Sequence, residues 1–352
     1  MMKCDNRYIN MTRCNRGSGA GAAAAPAVGC VTAAFAVLLF GLAASGVAAA
    51  ADVYPSKLVR IIVPFAAGGS TDLFARRIAQ RLNETWRQPV IVENRPGGGA
   101  IPGSDYAARQ RADGYALLVG TVTTHAVAAS LYPKLPYDIQ RDFAPITELA
   151  YIPQLLSVHP SLPVKSVKEL VALARARPGD INYAAGGVGA TPHMSMELFQ
   201  QIAKIKMVHV QYRGSGPAMI GLLSGEASVM FDVVMTTLPH MQAGKLRTIG
   251  VTSLRRAPIV PQVPTIAESG YPGFESLVWF GLFAPAGTPP DVLQKIHETV
   301  AGGLNTPQMR ESLTSQGLEI VASSPTDFSK RIAGEIAKWR KVIQAKGIKV
   351  EF

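Results

Sequence analysis

An α/β fold assembled around parallel strands is what this sequence predicts, and three observations carry the prediction. Apolar runs rich in Val and Ile alternate with stripes of period near four along most of the chain. Three of the strand-to-helix turns are rich in glycine, at 66–72, 184–193 and 212–217. The 352 residues, 48% hydrophobic and 17% charged, suffice for two domains with cores of their own.

The organising stretch is 58–82. Residues 58–65 predict a buried strand, and Phe74, Ile78 and Leu82 recur as the packed stripe of the helix that follows. Between them Gly68, Gly69, Ser70, Thr71 and Asp72 belong to a turn of small residues. The first N–H groups of a helix lack internal partners and lie in positive potential, so such a turn can seat a carboxylate or phosphate. It can equally be a plain connection in which Ser70 or Thr71 caps the helix.

Residues 89–93 predict the next strand, ahead of a turn at Pro96 and Gly97. A short helix is expected over 104–110. The buried strand over 115–122 ends in a polar cluster of Thr121, Thr123, Thr124 and His125. Ligands of open α/β sheets lie outside the carboxyl ends of strands. A Pro-containing connector covers 132–142, and 154–158 predicts a strand. Ser166 and Glu169 form a capping box before a helix with Val167, Leu170, Val171 and Ala174 on one face. Strands follow at 181–185, 207–212, 227–233 and 246–252, with helices over 194–203 and 218–224 entered through the second and third glycine loops. Residues 255–265 are a Pro-rich surface loop, and 277–284 is another buried strand. Thr288 and Ser324 each offer a hydroxyl cap before a proline, with Asp291 and Asp327 three residues on. Phe328, Ile332, Ile336, Trp339 and Ile343 form the packing stripe of the last helix.

The segment 1–51 has the pattern of an export signal. Lys3, Arg7, Arg13 and Arg16 precede an apolar stretch at 31–42, and an Ala-rich cleavage site ends at Ala50 or Ala51. Cys4, Cys14 and Cys30 all lie in this segment, so the processed chain has no disulfide, thiolate nucleophile or Cys metal site. Cys30 precedes the apolar stretch, which argues against lipidation. No later apolar run is long enough to span a bilayer. The expected destination is the periplasm. The formal charge of +11 includes +3 from the segment (four basic residues against Asp5), leaving +8. The basic residues are scattered and not interleaved with aromatics, which excludes a nucleic-acid surface and favours small anions.

Catalytic and metal motifs fail. Gly68 to Asp72 lacks the last glycine of a nucleophile elbow, and Arg213 stands where the first glycine would precede Ser215. Gly187, Gly189 and Pro192 do not complete a dinucleotide fingerprint, and no His pair has metal spacing. Neither a cofactor nor a metal is expected. His125 and His193 sit on loops where each can bond a ligand or serve the core. Asp72 either caps its helix or faces the ligand, Asp232 is either a buried bonded acid or a cleft group, and Trp279 and Phe280 are core or pocket floor. Arg213 is the best single cation for an anionic ligand.

Tyr54 to Lys57, Val63 to Phe65, Ala67 to Asp72 and Val92 to Gly97 together resemble the Bug family, the extracytoplasmic solute receptors of tripartite tricarboxylate transporters. The similarity continues through Asp113 to Tyr115, Leu131 to Asp138, Ser166 to Leu170, Val208 to Val210, Ala243 to Arg247, Val263 to Glu268, Trp279 to Gly281 and Ala284 to Pro289. Ala100 to Gly103 departs from the Asn-Ile-Gly run more usual there. The resemblance implies a type II periplasmic-binding-protein fold, two α/β domains with a ligand cleft between them. The first domain would take 52–152 and 276–352, and the second 153–275. The expected function is capture of a small carboxylate and its delivery to membrane permease subunits or a sensor, by a monomer without enzymatic activity. The ligand set implied is Phe65, Gly68, Gly69, Ser70, Thr71 and Asp72 with Thr121, Thr123 and His125 from the first domain. Gly186, Gly189, Thr191, His193, Tyr212, Arg213, Gly214, Ser215 and Asp232 face them from the second. The alternative is a serine-dependent hydrolase using Ser70 or Ser215 with a cleft histidine.

Overall fold

Val59, Ile61, Ile62 and Val63 are fully buried, and they make β1 (Val59–Val63) the spine of the first half of the molecule. A computed structural model describes residues 54–350. The expected signal segment with its cleavage site and three cysteines lies outside the described residues. After the first glycine turn, α1 (Ser70–Trp86) buries Phe74, Ala75, Ile78, Ala79 and Leu82, the stripe its spacing predicts. β2 (Val90–Asn94) and β3 (Ala116–Thr121) flank β1 in parallel, with α2 (Ile101–Ala108) between them. The helix begins earlier than expected because Pro102 is suited to its first turn. A π-helical turn, Thr123–Val127, then runs into α3 (Ala128–Leu131).

The next strand differs most from expectation. β4 (Phe143–Val158) is 16 residues long, whereas its sequence predicts a strand over 154–158 alone. Pro145 and Pro153 break the strand pattern in the sequence. The structure accommodates Pro145 at a register shift against the later strand Leu277–Pro285 and Pro153 where that pairing ends. From there α4 (Val167–Ala176), β5 (Asn182–Ala185), α5 (Thr191–Ala203), β6 (Val208–Gln211), α6 (Ser215–Leu223), β7 (Val229–Val233), α7 (Val234–Gln242) and β8 (Arg247–Val251) build a second half-sheet. β9 (Leu277–Pro285) returns to the first, followed by α8 (Pro290–Leu304), α9 (Pro307–Thr314), β10 (Glu319–Ile320) and α10 (Pro325–Lys346). Helices α7 and α9 were not foreseen: Pro239 within the one and a polar composition in the other weaken the helical signal.

The strands lie in the order β2-β1-β3-β9-β4-β7-β5-β6, with β8 and β10 also on β4. Their directions place the candidate site. β9 is antiparallel to both β3 and β4, so β1 and β3 run the same way as β4. β7 is antiparallel to the far part of β4, and β5 and β6 are parallel to β7. The carboxyl ends of β1 and β3 therefore point toward the second half-sheet, and those of β5, β6 and β7 point back toward the first. Thr121 is level with Ala150 through Phe280, while Val233 is level with Gln154. The two sets of strand ends are thus about 13 Å apart along β4, at roughly 3.3 Å per residue.

Buried hydrogen bonds knit this crossing. The Gln154 amide N–H donates to Thr252 Oγ1 at 2.8 Å, and Gln154 Nε2 donates to Ser195 Oγ at 2.6 Å. Ser195 Oγ in turn lies 2.7 Å from Ser276 Oγ. Helix α10 closes over the sheet with Phe328, Ile332, Ile336, Trp339 and Ile343 buried, as the stripe predicts. Ser324 caps it, accepting from the Asp327 N–H at 3.1 Å. Thr288 does not play the corresponding part for α8. Its hydroxyl donates to Pro285 O at 2.8 Å, and the cap position is Pro289. Trp279 and Phe280 are both buried in the core.

Gly281 of β9 sits beneath the Phe328 ring of α10, where any Cβ would collide with that ring. Gly281→Ala is expected to cost about 1–3 kcal/mol through overpacking, read by urea denaturation; an unchanged midpoint would mean that α10 lifts freely from the sheet.

Candidate functional site

The first glycine turn is held open by a carboxylate behind it. Gly68 adopts φ +82°, a conformation that favours glycine, and its N–H donates to Asp72 Oδ2 at 2.9 Å. Asn94 Nδ2 donates to Asp72 Oδ1 at 2.9 Å and to Phe65 O at 3.1 Å. Arg76 Nε donates to Asp72 Oδ2 at 3.0 Å, and the same guanidinium reaches Asn94 Oδ1 at 3.1 Å. Burial alone would raise the Asp72 pKa. The Arg76 guanidinium, the Gly68 N–H and the Asn94 amide outweigh it and hold the carboxyl below the usual range. Asp72 therefore neither faces outward nor caps through an exposed side chain. It buckles the turn from beneath, and it engages the Gly68 N–H that the sequence assigns to a ligand.

What the turn presents is the helix start. The cap position is Gly69, with no side-chain cap, so neither Ser70 nor Thr71 fills that role. The first bond of the helix runs from Leu73 N–H to Gly69 O at 3.0 Å. The N–H groups of Ser70, Thr71 and Asp72 precede it and have no acceptor within the helix. Gly68, Gly69 and Ser70 are exposed, Thr71 is buried, and Phe65 is half-buried against the first core.

The polar end of β3 divides. Thr121 is buried with its hydroxyl unpartnered, and Thr123 Oγ1 lies 3.2 Å from Thr191 Oγ1 at the start of α5. That contact joins the two sets of strand ends directly. His125 goes the other way. It is fully buried, stacked on Phe283 at 4.1 Å and bonded through Nδ1 to Thr124 Oγ1 at 2.9 Å. Burial pushes its pKa down to about 3, so it is a neutral core residue, contrary to its expected place in the ligand set.

The second and third glycine loops touch each other. A Cβ on Gly186 would lie 3.5 Å from Gly214 Cα, and one on Gly189 would collide with Leu131 of α3. His193 is buried and accepts the Gly189 N–H at 3.4 Å, which makes it a support of the loop. Burial, aided by His209 at 4.5 Å between ring centres, lowers its pKa to about 4. Tyr212 folds back so that its hydroxyl lies against Gly221, away from the strand ends. Arg213 and Gly214 are exposed, and Ser215 opens α6. Asp232, at the end of β7, is buried, accepts Thr236 Oγ1 at 2.6 Å and is bonded by Ser215. Burial pushes its pKa up to about 6 against those bonds.

Val233, one residue on, shares a small apolar hollow with Ser70 and Phe280, so the end of β7 reaches the first glycine turn. The structure thus brings together Gly69, Ser70 and Thr71, Thr121 and Thr123, Gly186, Gly189 and Thr191, and Gly214, Ser215 and Asp232. It turns His125 and Tyr212 away. Among the described residues no imidazole bonds to Ser70 or Ser215, so the geometry does not support the hydrolase alternative. No group of three or more His, Cys, Asp and Glu in metal-binding proximity occurs among them either. Asn94 and Arg76 are the organisers that sequence reasoning missed. Arg76 carried a signal, four residues after Asp72 on the same helix face.

Glycine-rich helix starts from two half-sheets, meeting at the carboxyl ends of their strands, define an α/β solute-binding fold. The fold is that of the periplasmic solute-binding proteins. Rpa4515 of R. palustris, whose structure contains adipate, superimposes with a TM-score of 0.76 at 38% identity, covering 84% of this chain and 99% of that one. MatC (Rpa3494) from Rhodopseudomonas palustris, with bound malate, gives 0.72 at 33% identity, covering 82% and 100%. Protein BugT of Bordetella pertussis is 36% identical over 319 residues, 90% of this chain and 98% of BugT. Residues 74–348 match the family described as the tripartite tricarboxylate transporter family receptor, and the chain belongs to it.

Asp72→Ala removes the buckle and strands the Gly68 N–H and the Asn94 amide. It should lower stability by about 1–3 kcal/mol at neutral pH. Because the folded pKa is depressed, that stability is present above the unfolded carboxyl pKa and is lost as pH falls through the folded one. Denaturation of parent and variant should therefore differ at about pH 7, and the gap should begin to close only as pH falls below about 4; a gap independent of pH would remove the carboxylate from the explanation.

Proposed function

We propose that this protein is a periplasmic receptor that captures a small carboxylate between two lobes and presents the closed form to membrane permease subunits. The observation that carries this reading is the start of α1, which no side chain caps. The N–H groups of Ser70, Thr71 and Asp72 open next to exposed Gly69, with the Thr121 and Thr123 strand end close by. Such groups replace water around an anion at low cost because the fold has already oriented them. Adipate and malate in two solved relatives favour a small carboxylate as the ligand class.

In this reading the first lobe is 52–152 with 276–352, and the second is 153–275. Gly69, Ser70 and Thr71 hold the carboxylate. Thr121, Thr123 and Thr191 supply hydroxyls, and Gly186, Gly189, Arg213, Gly214, Ser215 and Asp232 read the rest of the ligand. A ligand that touches both lobes stabilises the closed form through its differential contacts. The chain has no catalytic task in this account and acts as a monomer. No described helix is long and apolar enough to cross a membrane.

Calorimetry and thermal melting against adipate, malate and other small carboxylates test the reading. A ligand at a hundredfold excess over its Kd should stabilise the protein by about 2.7 kcal/mol, and scattering should report compaction. Gly69→Val should lose at least about tenfold in affinity while the fold survives, since a Cβ there meets only Ala66 O at an ordinary 3.5 Å. A carboxylate panel with no effect on melting would refute the receptor; full affinity in Gly69→Val would move the seat elsewhere.

A further inference from the structure

Three segments that take no part in the site, far apart in sequence, line one groove of about 780 Å³. They are the start of α4, the start of β8 with the end of α7, and the loop around Val263 and Pro264. Along one edge β8 is bonded to β4. Along the other it is joined only at Val251, whose N–H donates to Pro264 O at 3.0 Å and whose carbonyl accepts from the Ile266 N–H at 3.0 Å. From Arg247 to Ile249 that outer edge has no strand partner among the described residues, and these residues line the groove, Arg247 and Thr248 half-buried and Ile249 buried at its floor. An open edge is a template for another extended chain.

The charge around the edge is predominantly positive. The Lys165 and Lys168 ammonium groups are exposed beside it without a carboxylate partner among the described residues, while the Glu169 carboxylate is taken up by the Lys165 N–H at 2.7 Å. The Arg247 guanidinium donates to Val164 O at 2.8 Å and has no acidic partner among them either. The acid of the lining, Glu268, is already engaged by Arg256 at 3.0 Å and by the Thr265 N–H at 2.8 Å. Met241, Leu246 and Val263 add apolar surface.

We propose that this groove docks an extended acidic segment of a partner protein, which adds as a strand along Arg247 to Ile249 and turns its carboxylates to Lys165 and Lys168. Main-chain pairing supplies affinity in this mode, and the alternate side chains supply selection. A small free anion would meet the lysines and leave the strand edge open. A second copy of this chain is disfavoured by its own excess of positive charge, +8 once the +3 of the segment 1–51 is taken from the +11 of the full sequence.

The probe is a blocked, labelled peptide of about eight residues alternating Glu and Val, the length of a short strand, with a Lys–Val peptide as control. The Glu peptide should bind, slow hydrogen exchange at Arg247 to Ile249, and weaken in roughly 0.5 M salt. The double variant Lys165→Glu with Lys168→Glu should weaken it at least about tenfold and leave the affinity for a carboxylate ligand unchanged. No binding of the Glu peptide, equal binding of the Lys peptide, or protection at another edge would overturn the proposal. Self-association that the double variant abolishes would assign the groove to a second copy instead.

Discussion

The antiparallel pairing of β4 with β9 is the constraint on which the rest of the structure depends. It runs from Phe143 opposite Pro285 to Pro153 opposite Leu277, and beyond it β4 continues with β7 and β8 as partners. One strand thereby belongs to two half-sheets, and its direction sets theirs. Glycine turns separated by more than a hundred residues face one another because every one of them follows a strand whose polarity is referred to β4. Had β9 run parallel to β4, the first turn would open on the opposite end of the sheet.

Electrostatics then distinguishes the helix starts that this arrangement collects. At α6 and α7 the buried Asp232 already accepts hydroxyl bonds from Ser215 and Thr236, so its own acid occupies that potential. At α1 the acid is tucked behind the turn, paired with Arg76 and Asn94, and no side chain caps the first turn. A carboxylate of the protein thus organises the loop without competing for the anion position proposed there. The cost of burying Asp72 is offset locally by three kinds of donor, which is why its pKa falls where that of Asp232 rises.

The histidines show how burial reassigns residues that look chemical. His125 follows a polar strand end, yet the π-helical turn at Thr123–Val127 rotates its ring into the space beside Phe143 and Phe283. His193 lies on the second glycine loop's helix, and its ring points back to accept the Gly189 N–H. Both are kept neutral by desolvation and serve the loops indirectly, one through packing and the other through a hydrogen bond.

By itself the sequence determined what short-range physics controls. The stripe of α1, the Ser166 and Ser324 caps and the core stripe of α10 are set by residues within a few positions of one another and are found where their patterns place them, while α5 and α6 begin three residues sooner than expected, inside their glycine loops. The tertiary structure alone decided the length of β4, whose prolines hide it until β9 and β7 are seen to share it. It also decided the inward turn of Asp72 toward Asn94, the burial of His125, and the retreat of Tyr212 against Gly221. Those outcomes depend on partners brought close by strand pairing across the chain, and no local periodicity encodes which partner that pairing delivers.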